Sequence, residues 1–484
     1  MNKTTILIQD QVNCKFLNLD PSTRSKIVNA LKFLVPNARH LPTVKLGRWD
    51  GKISFATAGG GTYINLLDRV LQIVIDAGYD IDIDDRRPVF DFDFEPIKED
   101  HFADKTWPLG HPLAGEPIML RDYQVSAINN YIQNLQSVQE MSTGSGKTLT
   151  TAALSSLVEP YGRSIVIVPS KSLVKQTEED YINLGLDVGV YFGDRKEYNH
   201  KHTIATWQSL NYNAKKSRTG DADIPINEII EDVVCVMADE CHTVSADQLK
   251  KLLSGPMANI PIRWGLTGTV PREDFQFLAV LGCIGPVVGG VKAAELQEKG
   301  VLANSTIHVI QTNDSHVEFR DYHSEHDWIT TDNERMDWIS KFIHELEGNT
   351  LILVTKLETG RILESMIPDS KFISGATKLK DRTVEYKDFV QEDNKTLIAT
   401  YGIASTGISI TRIHNLVLFE IGKSFTRSIQ SIGRGLRKGF DKDHVNVYDI
   451  CSTLRFSKRH LTQRKGYYKD AEYKFDITKI NYKG

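Results

Sequence analysis

From Leu120 onward, two hydrophobic patterns alternate along the chain. Short apolar runs rich in β-branched residues recur at Ile165–Val168, Val233–Ala238, Leu351–Val354, Leu397–Thr400, Leu416–Ile421 and Val445–Ile450. Between them lie longer stretches with helical spacing of apolar positions. Continuous apolar strands separated by helices predict parallel sheets covered on both faces. The runs form two groups, one ending near Gly300 and one from about Thr306 to Ser452, so two open α/β domains in tandem are expected.

The first hundred residues differ in character. Ser25–Leu34 predicts a short helix, and Asp50-Gly51 within Lys45–Phe55 predicts a hairpin turn between strand-like flanks. Tyr79–Asp84 begins like a calcium loop but lacks the glycine and distal glutamate such a loop needs, and its strict alternation predicts an acidic-faced strand. Gly59-Gly60-Gly61 has no strand-then-helix setting and reads as a turn. The Pro/Gly-punctuated stretch Trp107–Pro117 reads as a linker. The expected organisation is a small α+β domain over residues 1–112, α/β domains over 113–304 and 305–454, and a C-terminal segment over 455–484.

Composition narrows the class. Charged residues make up 25% and hydrophobic residues 40% of 484, which excludes a largely disordered or collagen-like chain. No apolar run approaches the roughly 20 residues that cross a bilayer, and the opening residues lack a signal-peptide core, so no membrane partner and a cytoplasmic location are expected. Five scattered cysteines without a C-x-x-C pair predict reduced thiols. With 58 Lys+Arg against 62 Asp+Glu, the net charge of -4 offers nucleic acid no overall attraction, so such a partner must meet a local basic surface. Residues 455–484 carry nine Lys/Arg against three acids, interleaved with Tyr467, Tyr468, Tyr473 and Phe475. That pattern suits base stacking, or a helix packing its aromatics on the second domain; sequence leaves both open.

The chemistry concentrates in three segments. Met141-Ser142-Thr143-Gly144-Ser145-Gly146-Lys147-Thr148 follows a predicted strand and precedes a helix-forming run. This is a phosphate loop: Thr143, Gly144, Ser145 and Gly146 would surround phosphate with backbone N–H groups, Lys147 would reach the β and γ phosphates, and Thr148 would hold Mg2+. Met141 stands where the strict pattern has glycine. At the end of Val233–Ala238 come Asp239-Glu240-Cys241-His242, where an open parallel sheet presents residues to ligands. Asp239 suits Mg2+, and Glu240 suits activation of the attacking water. The third segment, Gln430–Arg437, places Arg434 and Arg437 on one helix face, a pair suited to charge on a transferring phosphoryl group.

In this order, from Leu120 to about Ile450, the motifs resemble those of the superfamily 2 helicases and translocases. The resemblance implies two tandem RecA-like parallel-sheet domains, ATP and Mg2+ as cofactors, and Lys147, Asp239, Glu240, Gln430, Arg434 and Arg437 as catalytic residues. Leu120-Arg121-Asp122-Tyr123-Gln124 resembles the adenine-recognition motif, with Gln124 and Arg121 reading the base. Gly265–Pro271 resembles motif III, implying coupling between nucleotide and nucleic acid through Thr267 and Thr269 with His242. Motifs Ia, its neighbouring strand-contact motif and motif V imply nucleic-acid contacts at Ser170, Gln176, Thr206, Thr406 and Gly407. Each of these is also a plausible turn or cap residue. Trp49 with Arg48 and Lys52 suits a junction-reading hairpin or a packed turn.

DECH, TGT and QSIGR in place of DEAD, SAT and HRIGR point toward duplex DNA rather than RNA. The Lys45–Lys52 segment and the compact length are most like a phage-encoded member. That likeness implies remodelling of forked or branched DNA, with an RNA–DNA hybrid as a further substrate, in a host cytoplasm. The alternatives are an ATP-switched DNA-binding or annealing protein and an RNA helicase; protein partners are not legible.

Overall fold

The structure, a computed structural model, describes residues 2–35, 38–109, 111, 113–243, 246–268, 270, 274–404, 412–422 and 443–483. Its contacts divide the chain into two compact units: Met1–Met141 with Gly146–Gly290, and Ser142–Ser145 with Val291–Gly484.

The first unit contains a four-stranded sheet and an eight-stranded one. In the smaller sheet, Asn2–Ile8 pairs antiparallel with Asn13–Leu17 and parallel with Tyr79–Asp85, the acidic-faced strand. The predicted N-terminal helix is present but shifted, at Pro21–Ala30, where Asp20 caps it by accepting from Ser22 and Thr23. The expected hairpin is corrected. Lys52–Ser54 pairs with Lys32–Leu34, and Pro42–Lys45 is a helical turn. Lys32–Leu34 is therefore a strand and not the last turn of the helix, its Phe33 packing against Phe55. On either side of the Pro/Gly stretch Phe102–Thr106 pairs with Pro117–Ile118, and Trp107 stacks on His111.

The eight-stranded sheet has six parallel strands in the order Val188–Phe192, His202–Thr206, Arg163–Val168, Val233–Asp239, Ile262–Thr267, Gln136–Met141. The smaller sheet shares a hydrophobic core with it: Ile6, Phe16, Leu66 and Val70 belong to the same buried cluster as Val138, Ile165 and Leu278. Polar links reinforce that packing, as where Asn13 donates to the Ser254 carbonyl and Lys250 to that of Ser54.

The second unit carries a seven-stranded sheet whose described pairings are all parallel, ordered Lys371–Ile373, Thr396–Thr400, Thr350–Val354, Asn415–Phe419, His444–Ser452, Asn304–Thr312, Phe475–Ile480. The C-terminal residues belong to this fold. Phe475–Ile480 is an edge strand, and the helix Arg455–Asp470 is anchored by Arg464, whose guanidinium grips Asp449 with two bonds of 2.8 and 2.9 Å. Tyr468 donates to the same carboxylate, and both Tyr468 and Tyr473 are buried, so these two rings pack instead of facing a nucleic acid. A second buried cluster joins Arg335 to Glu420 at 2.7 Å, while Asp314 accepts from Thr312, Ser452 and Tyr482.

Candidate functional site

Gln136–Met141 ends at the phosphate loop, and the helix Lys147–Val158 starts directly after it. Gly144 and Gly146 have φ of +87° and +81°, a conformation that disfavours any side chain. At Gly146 a Cβ would also come 2.3 Å from the Gln124 amide nitrogen, so the base-recognition candidate lies directly against the loop. Gln124 is held there by its own helix: its Oε1 accepts from the Arg121 backbone N–H at 2.9 Å in a capping box, and the Arg121 guanidinium donates to the Tyr123 hydroxyl. Met141, the departure from the strict pattern, is the last strand residue; it is fully buried, and its carbonyl accepts from Lys147 Nζ at 3.3 Å.

The acidic pair lies at the end of its strand, as the run Val233–Ala238 predicts. Glu240 has φ of +49°, a left-handed conformation unusual for glutamate, and its backbone N–H donates to Asp239 Oδ1 at 3.0 Å. The resulting bend sends the Glu240 carboxylate to Lys147, 93 residues away in sequence, with an Nζ to Oε1 distance of 2.8 Å. Both side chains are nearly buried, at 12% and 13% exposure. The other carboxylate oxygen accepts from the Gly268 backbone N–H at 3.3 Å and lies 3.5 Å from His242 Nδ1. That same ring nitrogen is hydrogen-bonded to the Thr267 hydroxyl. The phosphate loop, the acidic strand end and motif III thus form one continuous polar chain: Lys147, Glu240, His242, Thr267. Tyr131 steadies the motif III strand by donating to the Gly265 carbonyl at 2.6 Å.

The electrostatics follow from burial and charge. Burial alone would raise the Glu240 carboxyl, but Lys147, His242 and the Gly268 N–H together hold it below the usual carboxylate range. His242 is itself lowered, chiefly by burial, with Glu240 pulling the other way and Lys147 adding to the lowering. The arrangement fits a nucleoside triphosphate with its metal: a left-handed glycine cradle with no room for a Cβ, a twelve-residue helix behind it, Lys147 and Thr148 at that helix start, and Asp239 at a strand end.

Thr206 ends the strand His202–Thr206, and Ser170 follows two residues after the neighbouring parallel strand Arg163–Val168, where Val168 and Thr206 are register partners. Both cap helices: Ser170 accepts from the Leu173 N–H and Thr206 from that of Ser209. Gln176 is half-buried on the helix Lys171–Asn183. Thr269, Thr406, Gly407, Gln430, Arg434 and Arg437 lie outside the described residues. Sequence reasoning missed the Met141 carbonyl and the Gly268 N–H, because backbone groups carry no residue signature; the position of Gly268 directly after Thr267 was the available clue.

The chain is also similar to known proteins over much of its length. Residues 117–272 match the family described as type III restriction enzyme, res subunit, and residues 334–439 the helicase conserved C-terminal domain. The chain belongs to the superfamily 2 helicases, ATP-dependent enzymes. Among individual proteins it is similar to the ATP-dependent DNA helicase uvsW of Enterobacteria phage T4, 23% identical over 476 residues that cover 93% of this chain and 91% of the relative. It is 23% identical over 380 residues to the DNA 3'-5' helicase XPB of Kineococcus radiotolerans, covering 75% of this chain and 65% of that one. Among solved structures, an HsdR-subunit fragment of a type I restriction enzyme from Vibrio vulnificus shares the fold, with a TM-score of 0.58 at 16% identity over 90% of this chain and 79% of the other.

Proposed function

We propose that the protein is an ATP-driven DNA helicase or translocase that remodels branched DNA, through fork regression, Holliday-junction branch migration and R-loop unwinding, in recombination, repair and replication. The observation that supports the motor most directly is the buried Lys147–Glu240 pair beside the glycine cradle. Lys147 exchanges Glu240 for the β and γ phosphates, and Glu240, released from its ion pair, orients or deprotonates the attacking water. Mg2+, held by Thr148 and Asp239, would supply charge neutralisation at the phosphate oxygens. Gln124 and Arg121 read the base, with Thr143, Gly144, Ser145 and Gly146 around the phosphates. Gln430, Arg434 and Arg437 complete the site from the second RecA-like domain, so hydrolysis depends on domain closure. The His242–Thr267 bond, with Thr269, passes the state of Glu240 to the nucleic-acid side.

DNA as the substrate is supported by the two relatives, each named a DNA helicase. Ser170, Gln176, Thr206, Thr406 and Gly407 serve as phosphate contacts that do not read sequence, which leaves substrate choice to DNA shape. Residues 1–112 select the branch, and the setting is a host cytoplasm. The test is steady-state ATP turnover with a fork, a four-way junction, an R-loop, a single strand and structured RNA. Stimulation by forks and junctions, abolished in Glu240→Gln, is expected. No stimulation by DNA, or stimulation confined to RNA, overturns the assignment.

A further inference from the structure

The strand pairing Lys32–Leu34 with Lys52–Ser54 encloses a segment with unusual surface chemistry. Residues 32–54 contain five cations, Lys32, Arg39, Lys45, Arg48 and Lys52, against one acid, Asp50, in a chain whose net charge is -4. Asp50 pairs with Lys32 at 2.7 Å. Arg39, Lys45 and Arg48 are exposed, and among the described residues none of the three has an acidic partner. Three leucines stand out among these cations: Leu34, at 49% exposure, ends the strand, and Leu41 and Leu46, at 43% and 65%, bracket the single helical turn Pro42–Lys45.

The segment holds this display by its own hydrogen bonds. Arg48 and Trp49 both donate backbone N–H groups to the Thr43 carbonyl, at 2.9 and 3.2 Å, and the Trp49 indole donates to the Lys52 carbonyl at 2.9 Å. Gly51, with φ of +75°, seats the return of the chain; a Cβ there would come 3.0 Å from Ala38 Cβ. Trp49 is thereby tied to its own turn, and the leucines carry the exposed apolar surface. An ordered turn that holds leucines in water among uncompensated cations indicates a surface with a partner.

We infer that this turn docks at the branch point of DNA, with Arg39, Lys45 and Arg48 on flanking phosphates and Leu41 and Leu46 against the exposed face of the last base pair. The cations alone would suit any duplex, since phosphates are present everywhere along it. The leucines discriminate. A continuous duplex stacks its base faces away from protein, whereas a branch ends a stack and presents a flat apolar face, the kind of surface that apolar side chains flanked by cations engage in bent or opened DNA. This inference rests on the reading of the chain as a motor on branched DNA and names the surface that would recognise the branch.

The test uses the full chain without nucleotide, measuring binding by fluorescence anisotropy to a fork and to a continuous duplex of equal length. Arg39→Ala/Lys45→Ala/Arg48→Ala should weaken both substrates and reduce the slope of log affinity against log salt by about 2 to 3, at roughly 0.9 for each phosphate no longer neutralised. Leu41→Ser/Leu46→Ser should weaken the fork by roughly fivefold or more and leave the duplex unchanged, with a smaller 2-aminopurine response beside the branch. All five positions are exposed, so unchanged melting temperatures are expected and check the fold; the single variants Leu46→Ser and Arg48→Ala provide the same comparison on a smaller scale. Equal weakening on fork and duplex for the leucine variant, full retention of fork binding, or an unchanged salt slope for the cation variant would overturn the inference. ATP turnover of the unaltered chain on the same fork tests the motor separately: its presence together with any of those results removes only this surface, and its absence removes the motor.

Discussion

Glu240→Gln keeps the size of the side chain and removes its charge, which separates its ion pair with Lys147 from the catalytic role proposed for it. In the structure the carboxylate is 2.8 Å from Lys147 in a nearly buried setting. At an effective dielectric of 20, that separation corresponds to about 6 kcal/mol of Coulomb attraction, most of it cancelled by desolvation of the two groups. The glutamine carbonyl still accepts from Lys147, so a net stability decrease of about 1–2 kcal/mol is expected. Turnover responds differently. Removing a positioned base costs roughly 10²- to 10⁴-fold, about 3–5 kcal/mol of barrier. Nucleotide binding should hold or tighten, because Lys147 no longer has to leave a carboxylate to reach phosphate. Steady-state ATP turnover on forked DNA gives the first quantity, fluorescent-nucleotide titration the second, and a melting curve the third. The pH dependence adds a fourth check. Because the folded carboxyl is held below its ordinary value, its stabilisation is present above the unfolded carboxylate pKa of about 4.3 and is lost as pH falls through the folded value. The parent should therefore lose more stability than the variant below about pH 4. Turnover within tenfold of the parent, or nucleotide binding that falls in step with turnover, would refute the role given to Glu240.

Three further outcomes can be checked with the same measurements. Gly146→Ala should abolish nucleotide binding, since its Cβ would come 2.3 Å from the Gln124 amide at a φ of +81°; binding retained within a few-fold would show that the cradle tolerates a side chain. Arg464→Ala should lower stability by about 3–5 kcal/mol, because it leaves Asp449 buried without its doubly bonded counter-charge, and a calorimetric melt in which only a small shift appears would contradict that. His202 and His326 are each lowered to about 4, chiefly by burial. With folded values below the unfolded 6.5, their contribution is complete above pH 6.5 and is lost as pH falls toward 4, about 3 kcal/mol per residue at most. A melting temperature flat from pH 7 to 4.5 would show that neither histidine stays neutral in the fold.

Much of this molecule was legible in its sequence, and the legible parts share a physical character. The parallel strands of both α/β domains stand out as continuous apolar runs because both sheet faces are covered, so Val233–Ala238 and Leu351–Val354 differ from the observed Val233–Asp239 and Thr350–Val354 by a single residue at one end. The phosphate loop is equally local: its glycines, lysine and threonine are consecutive, and the left-handed φ of Gly144 and Gly146 is a property of residue type as much as of place. The acidic strand end follows from the strand before it. Motif order along the chain then carried the family.

Pairing across distance was decided by the tertiary structure. Lys52–Ser54 returns to Lys32–Leu34 instead of closing a tight hairpin at Asp50-Gly51, because Phe33 and Phe55 meet and a helical turn intervenes. The tyrosines near the C-terminus are alike in sequence, yet Tyr468 is buried because Arg464 and Asp449 draw its helix onto the sheet, and Tyr473 is buried where the chain passes from that helix to the edge strand. The Glu240 to Lys147 bond bridges 93 residues through a left-handed bend at Glu240, and the Met141 carbonyl joins it through a backbone atom that any residue would offer. Periodicity and short spacing are written locally, since each residue's neighbours in sequence impose them. Which faces meet, and which charges are shut away from water together, depends on the free energy of the whole packed chain.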